Sequence, residues 1–439
     1  MKKFFHRFVA ITAVMILTLS FAGCSMFERP DSSSTPSVPD SIVSAQSVAF
    51  KTQPEETRKE LTRTEAVKMV ERSVVAIEMK KESSTSYGSG IIIDVEDSSD
   101  KEFYVLTAHH VISDGGNITV YVPDVNTRNF TDEDYQERFA FKGVIDNVIH
   151  TDKAITLVGG DAESDVAVLK LNLEGTEVSP EEIVSSSLPH ADYSMSRGES
   201  VFAIGNPSGQ LPMNVSAGII SYLDREVYLN QVGYMMLVQI DVQINHGSSG
   251  GGLFNLYGEL IAITNSGNES YDGINYAIPH KATYASVDNG FVNIASQLIG
   301  TKTDSNYGYV SGRWSLGIVT NQKSNSYNGS TYVELKSIVE GSNVDLSNKA
   351  NPDNAIQVGD IITKITYFEG TDKKEVKISS LSDLSSAVYK MKKYLKLGDT
   401  FTIEVDRPIN SYQSKKISSV VELKVQNIFC DTNATPTNG

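Results

Sequence analysis

Three short segments hold the side chains that nucleophilic hydrolysis needs. They are VLTAHHV, with His109 and His110; SDVAVLK, with Asp165; and NHGSSGGGLFN, with Ser248 and Ser249. A serine hydroxyl attacks poorly at neutral pH unless an imidazole takes its proton, and a carboxylate then fixes the tautomer of that imidazole and stabilises its cation. The glycines around the serines let a substrate carbonyl approach closely. The backbone amides of Gly247 and Ser249 can converge on the oxyanion that forms there, a task that needs no side chain. Within these segments, adjacent His109 and His110 point to opposite faces if a strand continues through them, so only one can be the base. Ser248 competes with Ser249 for the nucleophile. A rival order, Ser249 followed by Asp272 and His280, matches the Gly-x-Ser-x-Gly arrangement of α/β-hydrolases. That arrangement needs a helix after the nucleophile, and Leu260 to Thr264 reads as a further strand.

The elements that must position these residues are mostly strands. Thr62 and Glu65 have capping-box spacing before Ala66, Val67, Val70 and Val74, which predicts a short helix leading into a strand at Val74 to Met79. From there to Pro279, short β-rich runs alternate with Gly, Asn, Ser and Asp turns, an all-β signature with no recurring helix to suggest a parallel sheet. Residues 123–163 are charged and rich in Asn and Asp, and read as an insertion. Helical spacing returns over His280 to Ile299. A polar stretch, Gly300 to Gly312, then leads to a second, mixed α/β module with a helix over Leu381 to Tyr394.

Composition narrows the function. The 439 residues carry 38 Lys and Arg against 54 Asp and Glu, a net charge of −16 that argues against nucleic acid as a partner. Two cysteines, Cys24 and Cys430, are too few for a disulfide framework or a four-cysteine metal site, and no metal site or cofactor is expected. Lys2, Lys3 and Arg7 precede an apolar run from Phe8 to Ala22, the pattern of a secretory signal. It ends in Phe-Ala-Gly-Cys, which resembles a lipobox. That resemblance implies that residues 1–23 are removed and that Cys24 is lipidated, holding the chain on the outer face of the cell membrane. Residues 24–61, rich in Ser, Pro and Thr, read as a flexible tether.

Taken in order, the three chemical segments and GSGIIID, VFAIGNPSG, SAGIIS, GELIAITN and GINYAIP resemble the trypsin-like serine proteases, and among them the HtrA/DegP family. The likeness runs from about residue 65 to 410. It implies a chymotrypsin-like pair of six-stranded β-barrels over residues 62–300, with the active site in the cleft between them. By motif position it assigns His110, Asp165 and Ser249 as the catalytic triad. His109 becomes a turn residue, Ser248 an oxyanion-loop residue, and Gly247 with Ser249 the oxyanion donors. The segments WSLGIV, VGDIITKI, LSDLSSAVYKM and LGDTFTIEVDR resemble a PDZ domain over residues 313–428, with Leu316, Gly317 and Ile318 as the peptide-binding turn. Residues 301–312 read as a linker and 429–439 as a disordered tail. The resemblance implies cleavage of unfolded or damaged protein without a cofactor, and a homotrimer as the assembly. The alternative is a membrane-tethered chaperone or peptide-binding protein that holds clients without cutting them.

Overall fold

The computed structural model describes residues 48–96, 98–123, 140–146, 150, 153–206, 214–229, 233–267, 273–281, 290–303, 307–325, 329–410 and 413–424. Cys24, Cys430, Asp272 and the tail lie outside them. The capping box forms as the spacing predicts. Thr62 Oγ1 accepts from Glu65 N while Glu65 reaches back to the Thr62 amide, and helix α1 (Arg63–Val70) follows.

Seven strands then build the first sheet: β1 (Val74–Lys80), β2 (Thr85–Ile93), β3 (Glu102–Ala108), β4 (Gly116–Tyr121), β5 (Ala140–Ile145), β6 (Ile155–Asp161) and β7 (Val166–Asn172). Their order is β5-β4-β1-β2-β3-β7-β6. The expected two six-stranded barrels are thus matched only in part. The first half is a seven-stranded sheet with no ladder between β5 and β6 among the described residues. Its edges nevertheless meet, because a Cβ on Gly143 of β5 would lie 2.3 Å from the Ile155 carbonyl oxygen of β6. Both edge strands fall within residues 123–163, so two parts of this stretch belong to the sheet and it is not simply an insertion. Its alternation is interrupted by charge, but β6 is buried throughout once paired with β7.

The second half is a closed barrel, β10-β13-β12-β11-β8-β9. Its strands are β8 (Ser200–Gly205), β9 (Asn214–Leu229), β10 (Gly233–Ile240), β11 (Gly252–Asn255), β12 (Leu260–Gly267) and β13 (Asn275–Pro279). Along β8, Val201 and Ala203 join a core of barrel residues such as Val238, Leu253 and Ile261. Phe202 and Ile204, on the opposite face, join a second core with Leu106 and Val168 of the first sheet. That shared core clamps the two halves together. The short helix α2 (His109–Ile112) follows β3, and helix α3 (Phe291–Gly300) packs Phe291, Ile294 and Leu298 into the shared core. The helix expected from His280 begins at Phe291 in the described residues.

Two stretches expected to be free are bound. Residues 48–61, assigned to the tether, cross the β-rich body. Phe50 bridges Val95, Thr52 bridges Leu188, and Leu61 N donates to the Leu256 carbonyl. In the expected linker, Gly308 N donates to the Val158 carbonyl at 2.7 Å, and Tyr307 Oη donates to the Asp146 carbonyl. Polar composition concealed both, because their partners are backbone groups and edge strands far away in sequence.

The C-terminal module has its own core and an antiparallel sheet ordered β14-β15-β16-β18-β19, with β17 also on β16. The strands are β14 (Ile318–Ser324), β15 (Thr331–Ile338), β16 (Ile361–Glu369), β17 (Asp372–Lys377), β18 (Thr400–Asn410) and β19 (Gln413–Glu422). Helices α4 (Asn343–Ala350) and α5 (Leu381–Tyr394) complete it, so it is a small mixed α/β unit as expected.

Candidate active site

The histidine and the aspartate meet through one ladder. Strands β3 and β7 pair with Ala108 opposite Val166, so the residues after one and before the other are neighbours. The His109 amide donates to the Asp165 carbonyl at 2.9 Å, and the His110 amide to Asp165 Oδ1 at 2.8 Å. His110 Nδ1 lies 2.7 Å from Asp165 Oδ2. Asp165 is a non-glycine residue at φ 54°, a strained backbone conformation that local bonding must hold. The side chain of Asp165 is 1% exposed against 23% for His110, so the carboxylate is sealed in while the imidazole reaches the surface.

Burial by itself would lower the affinity of the His110 ring for a proton. The charge of Asp165 and its hydrogen bond outweigh burial and hold the ring above its ordinary value. His109 is buried, and there desolvation wins and pushes its value down. This is the physical distinction between the two histidines: His110 is poised to accept a proton and share its charge with Asp165, whereas His109 is held neutral.

Ser249 lies in the loop between β10 and β11, fastened chiefly to β2 and β12. The Ser89 amide donates to the Ser249 carbonyl, and Ser89 Oγ to the Gly247 carbonyl, both at 2.8 Å. Thr264 Oγ1 donates to the Ser248 carbonyl at 2.6 Å, and the Gly250 amide to the Thr264 carbonyl at 2.8 Å. The loop depends on its glycines. Gly247 and Gly250 have φ of 91° and 83°, and a Cβ on Gly250 would lie 2.2 Å from the Ser89 carbonyl oxygen. Among the described residues the amides of Gly247 and Ser249 have no protein acceptor, which leaves them available to an oxyanion.

The hydroxyl of Ser249 donates to the Asn265 carbonyl at 2.7 Å and makes no bond to His110 among the described residues. The Ser249 hydroxyl is thus committed to a backbone carbonyl and not to the imidazole. The Asn265 side chain donates through Nδ2 to Asp165 Oδ2 at 2.5 Å, so one residue contacts both the carboxylate and the serine. Asn265 and Ser89 escaped the sequence reading. Their signal was present, since Ser89 sits in GSGIIID and Asn265 ends GELIAITN, but a hydrogen-bond partner 100 or 158 residues away has no local signature.

The rival histidine, His280, is buried against the Tyr193 ring at 5.4 Å, with Nδ1 3.2 Å from the Ile261 carbonyl oxygen. In the C-terminal module, Leu316 and Ile318 are buried in the core. Gly317 has φ 71°, and its absent side chain makes room for Ser342, whose Cβ would lie 2.0 Å from an added one. The turn can thus offer a ligand only its backbone.

The trypsin-like peptidase domain family matches residues 88–263, which span both halves of the site. Among curated relatives, the chain is 29% identical over 294 residues to the serine endoprotease DegS of Haemophilus influenzae, covering 66% of this chain and 67% of that one. It is 30% identical over 322 residues to the serine protease Do-like HtrA of Lactococcus lactis subsp. cremoris, covering 70% and 65%. The match to DegS of Escherichia coli strain K12 is 33% over 198 residues and covers 44% of each. The chain thus spans between about half and two thirds of these relatives' lengths. A solved serine endoprotease from Yersinia pestis aligns with 83% of this chain and all of its own at 23% identity and a TM-score of 0.42, and nothing rests on that likeness. The chain carries a trypsin-like peptidase domain and is similar to HtrA-type serine proteases.

Proposed function

We propose that the protein is an HtrA-type endopeptidase working outside the cytoplasm, where it cuts unfolded or damaged proteins through an acyl-enzyme. The observation that carries this reading is the His110 and Asp165 pair at 2.7 Å beside a serine loop whose oxyanion amides are uncommitted. Ser249 Oγ attacks the scissile carbonyl as His110 Nε2 takes its proton, and Asp165 stabilises the imidazolium. The Gly247 and Ser249 amides bind the oxyanion. His110 then gives the proton to the leaving amine, and a water deprotonated by His110 releases the acyl group from Ser249.

Cys24 is the residue proposed to anchor the chain in the membrane, and the C-terminal module is proposed to be PDZ-like, holding a peptide end through the backbone of Leu316, Gly317 and Ile318. A homotrimer is the proposed assembly. The resting bond from Ser249 to Asn265 keeps a second reading in view, a tethered chaperone that binds clients without cutting them. Cleavage of casein by the soluble protein, lost in Ser249→Ala, is the expected result. Casein that is bound but left intact by the unaltered protein would favour the chaperone.

A further inference from the structure

Strands β3, β7 and β6 set Tyr104, Lys170 and Thr156 side by side, because Tyr104 stands opposite Lys170 in one ladder and Lys170 opposite Thr156 in the next. On β7 the same face carries Val166 and Val168, which belong to the shared core, so it turns from apolar to polar at Lys170. That polar end is four residues from the Ala108 and Val166 pair that leads to His110 and Asp165, roughly 13 Å along the strands. A cavity of about 220 Å³ opens there, walled on its other side by Ile299, Lys302 and Thr303 around the end of α3. Among the described residues its lining holds three basic side chains, His150, Lys170 and Lys302, and no acid, although acids outnumber Lys and Arg in the chain by 54 to 38. The acids that pair with two of them, Glu102 with Lys170 at 2.8 Å and Asp146 with His150 at 3.1 Å, stand outside the lining. Lys302 reaches the Thr303 carbonyl and lies 6.0 Å from the Tyr307 ring. The wall therefore gathers positive charge and hydroxyl groups beside two apolar side chains, Val158 and Ile299.

We propose that this cavity binds a small phosphate monoester, with the phosphate between Lys170 and Lys302 and the esterified group against Val158 and Ile299, and that the ligand fastens the segment carrying Gly308 to β6. Ammonium groups act as point charges and hydroxyls donate from several directions, which suits a tetrahedral dianion. A planar carboxylate is matched best by a guanidinium fork, and no arginine lines the cavity among the described residues. The volume falls below the roughly 300 Å³ at which pockets for drug-sized molecules begin, so the ligand is small. Its hold on Gly308 follows from Val158, whose side chain lines the cavity while its carbonyl accepts from the Gly308 amide at 2.7 Å. A ligand that bridges Lys302 to β7 favours the arrangement in which that bond is made. The site stands apart from the triad, and its test needs no peptidase activity.

Calorimetric titration of the protein with phenyl phosphate at fixed ionic strength is the test. Saturable one-to-one binding is expected. It should weaken about tenfold in Lys170→Met and in Lys302→Met, and stay unchanged in Lys416→Met, which alters an exposed lysine of β19. With free ligand at ten times its dissociation constant, hydrogen exchange at the Gly308 amide should slow by about tenfold. No saturable binding, equal weakening in all three variants, or tighter binding of benzoate than of phenyl phosphate would overturn the phosphate site. Binding that leaves exchange at Gly308 unchanged would overturn its hold on that segment.

Discussion

Asp165 is gripped by three donors, the His110 ring, the His110 amide and the Asn265 amide, and each has a separable consequence. Because the His110 base must be neutral to act, activity should fall on acidification. Asp165 raises its proton affinity, so the acid limb should lie above the ordinary histidine value of about 6.5. A peptide-cleavage profile flat down to pH 5 on folded protein would remove His110 from that role. In Asn265→Ala the carboxylate loses a donor and concentrates its charge on His110. The expected outcome is a kcat lower by about tenfold or more, together with an acid limb moved to higher pH. Loss of rate with no movement of the limb would mean that Asn265 acts only on the serine loop. Ser249→Ala and His110→Ala should each abolish turnover, and the double variant should be no worse, because members of one catalytic unit are not additive.

At the scale of elements, the hairpin joining β11 to β12 supports the strand that carries Asn265. Its Glu259 side chain is fully buried and is met by Arg58 Nε at 2.7 Å, from the segment expected to be a loose tether. Asn255 Nδ2 also donates to Glu259 at 2.7 Å, and Arg58 stacks over the Tyr257 ring at 4.1 Å. Removing one partner of a buried pair leaves its charge uncompensated. Arg58→Ala should therefore cost about 3 kcal/mol, read as a lower urea midpoint. Adding Glu259→Gln should recover part of the loss. An unchanged midpoint in Arg58→Ala would show that the segment merely rests on the barrel.

Across the whole molecule, the C-terminal module docks close to Asp165. Arg313 Nη2 lies 3.2 Å from Asp161, Arg313 Nη1 lies 2.8 Å from Glu163, and Lys392 of α5 also pairs with Glu163. These acids occupy the turn that leads into Asp165. Burial would raise the proton affinity of Asp161, but Arg313 and the Ser164 donors outweigh it and hold the carboxyl below its ordinary value. The Tyr234 and Tyr389 rings, 5.5 Å apart, form a second contact. Sequence alone suggests that a chain ending at Gly300 keeps its peptidase activity, since the three chemical residues precede that point. The contacts in the structure favour the opposite outcome, because the shortened chain loses the Gly308 bond to β6 and leaves Asp161 buried without Arg313. Short-peptide cleavage and thermal stability should both fall in that chain, and Arg313→Ala should reproduce much of the loss. Full activity in both would show that the docking is incidental to the site.

The order of His110, Asp165 and Ser249, the glycines of the serine loop, the strand-rich body and the mixed second module were legible in the sequence. These features depend on local chemistry: alternation along a strand, a turn that only glycine permits, a cap three residues from its partner. Sequence did not reveal that β5 and β6 lie inside an apparent insertion, that residues 48–61 are tied to Glu259 and its neighbours, or that Ser89 and Asn265 hold the nucleophile and its carboxylate. Such features arise from pairing across large separations, where a serine on β2 finds a backbone 158 residues away. A polar residue reads the same in a loop and in a buried network until folding removes water and makes a partner necessary, so only the tertiary structure decided which of them hold the site.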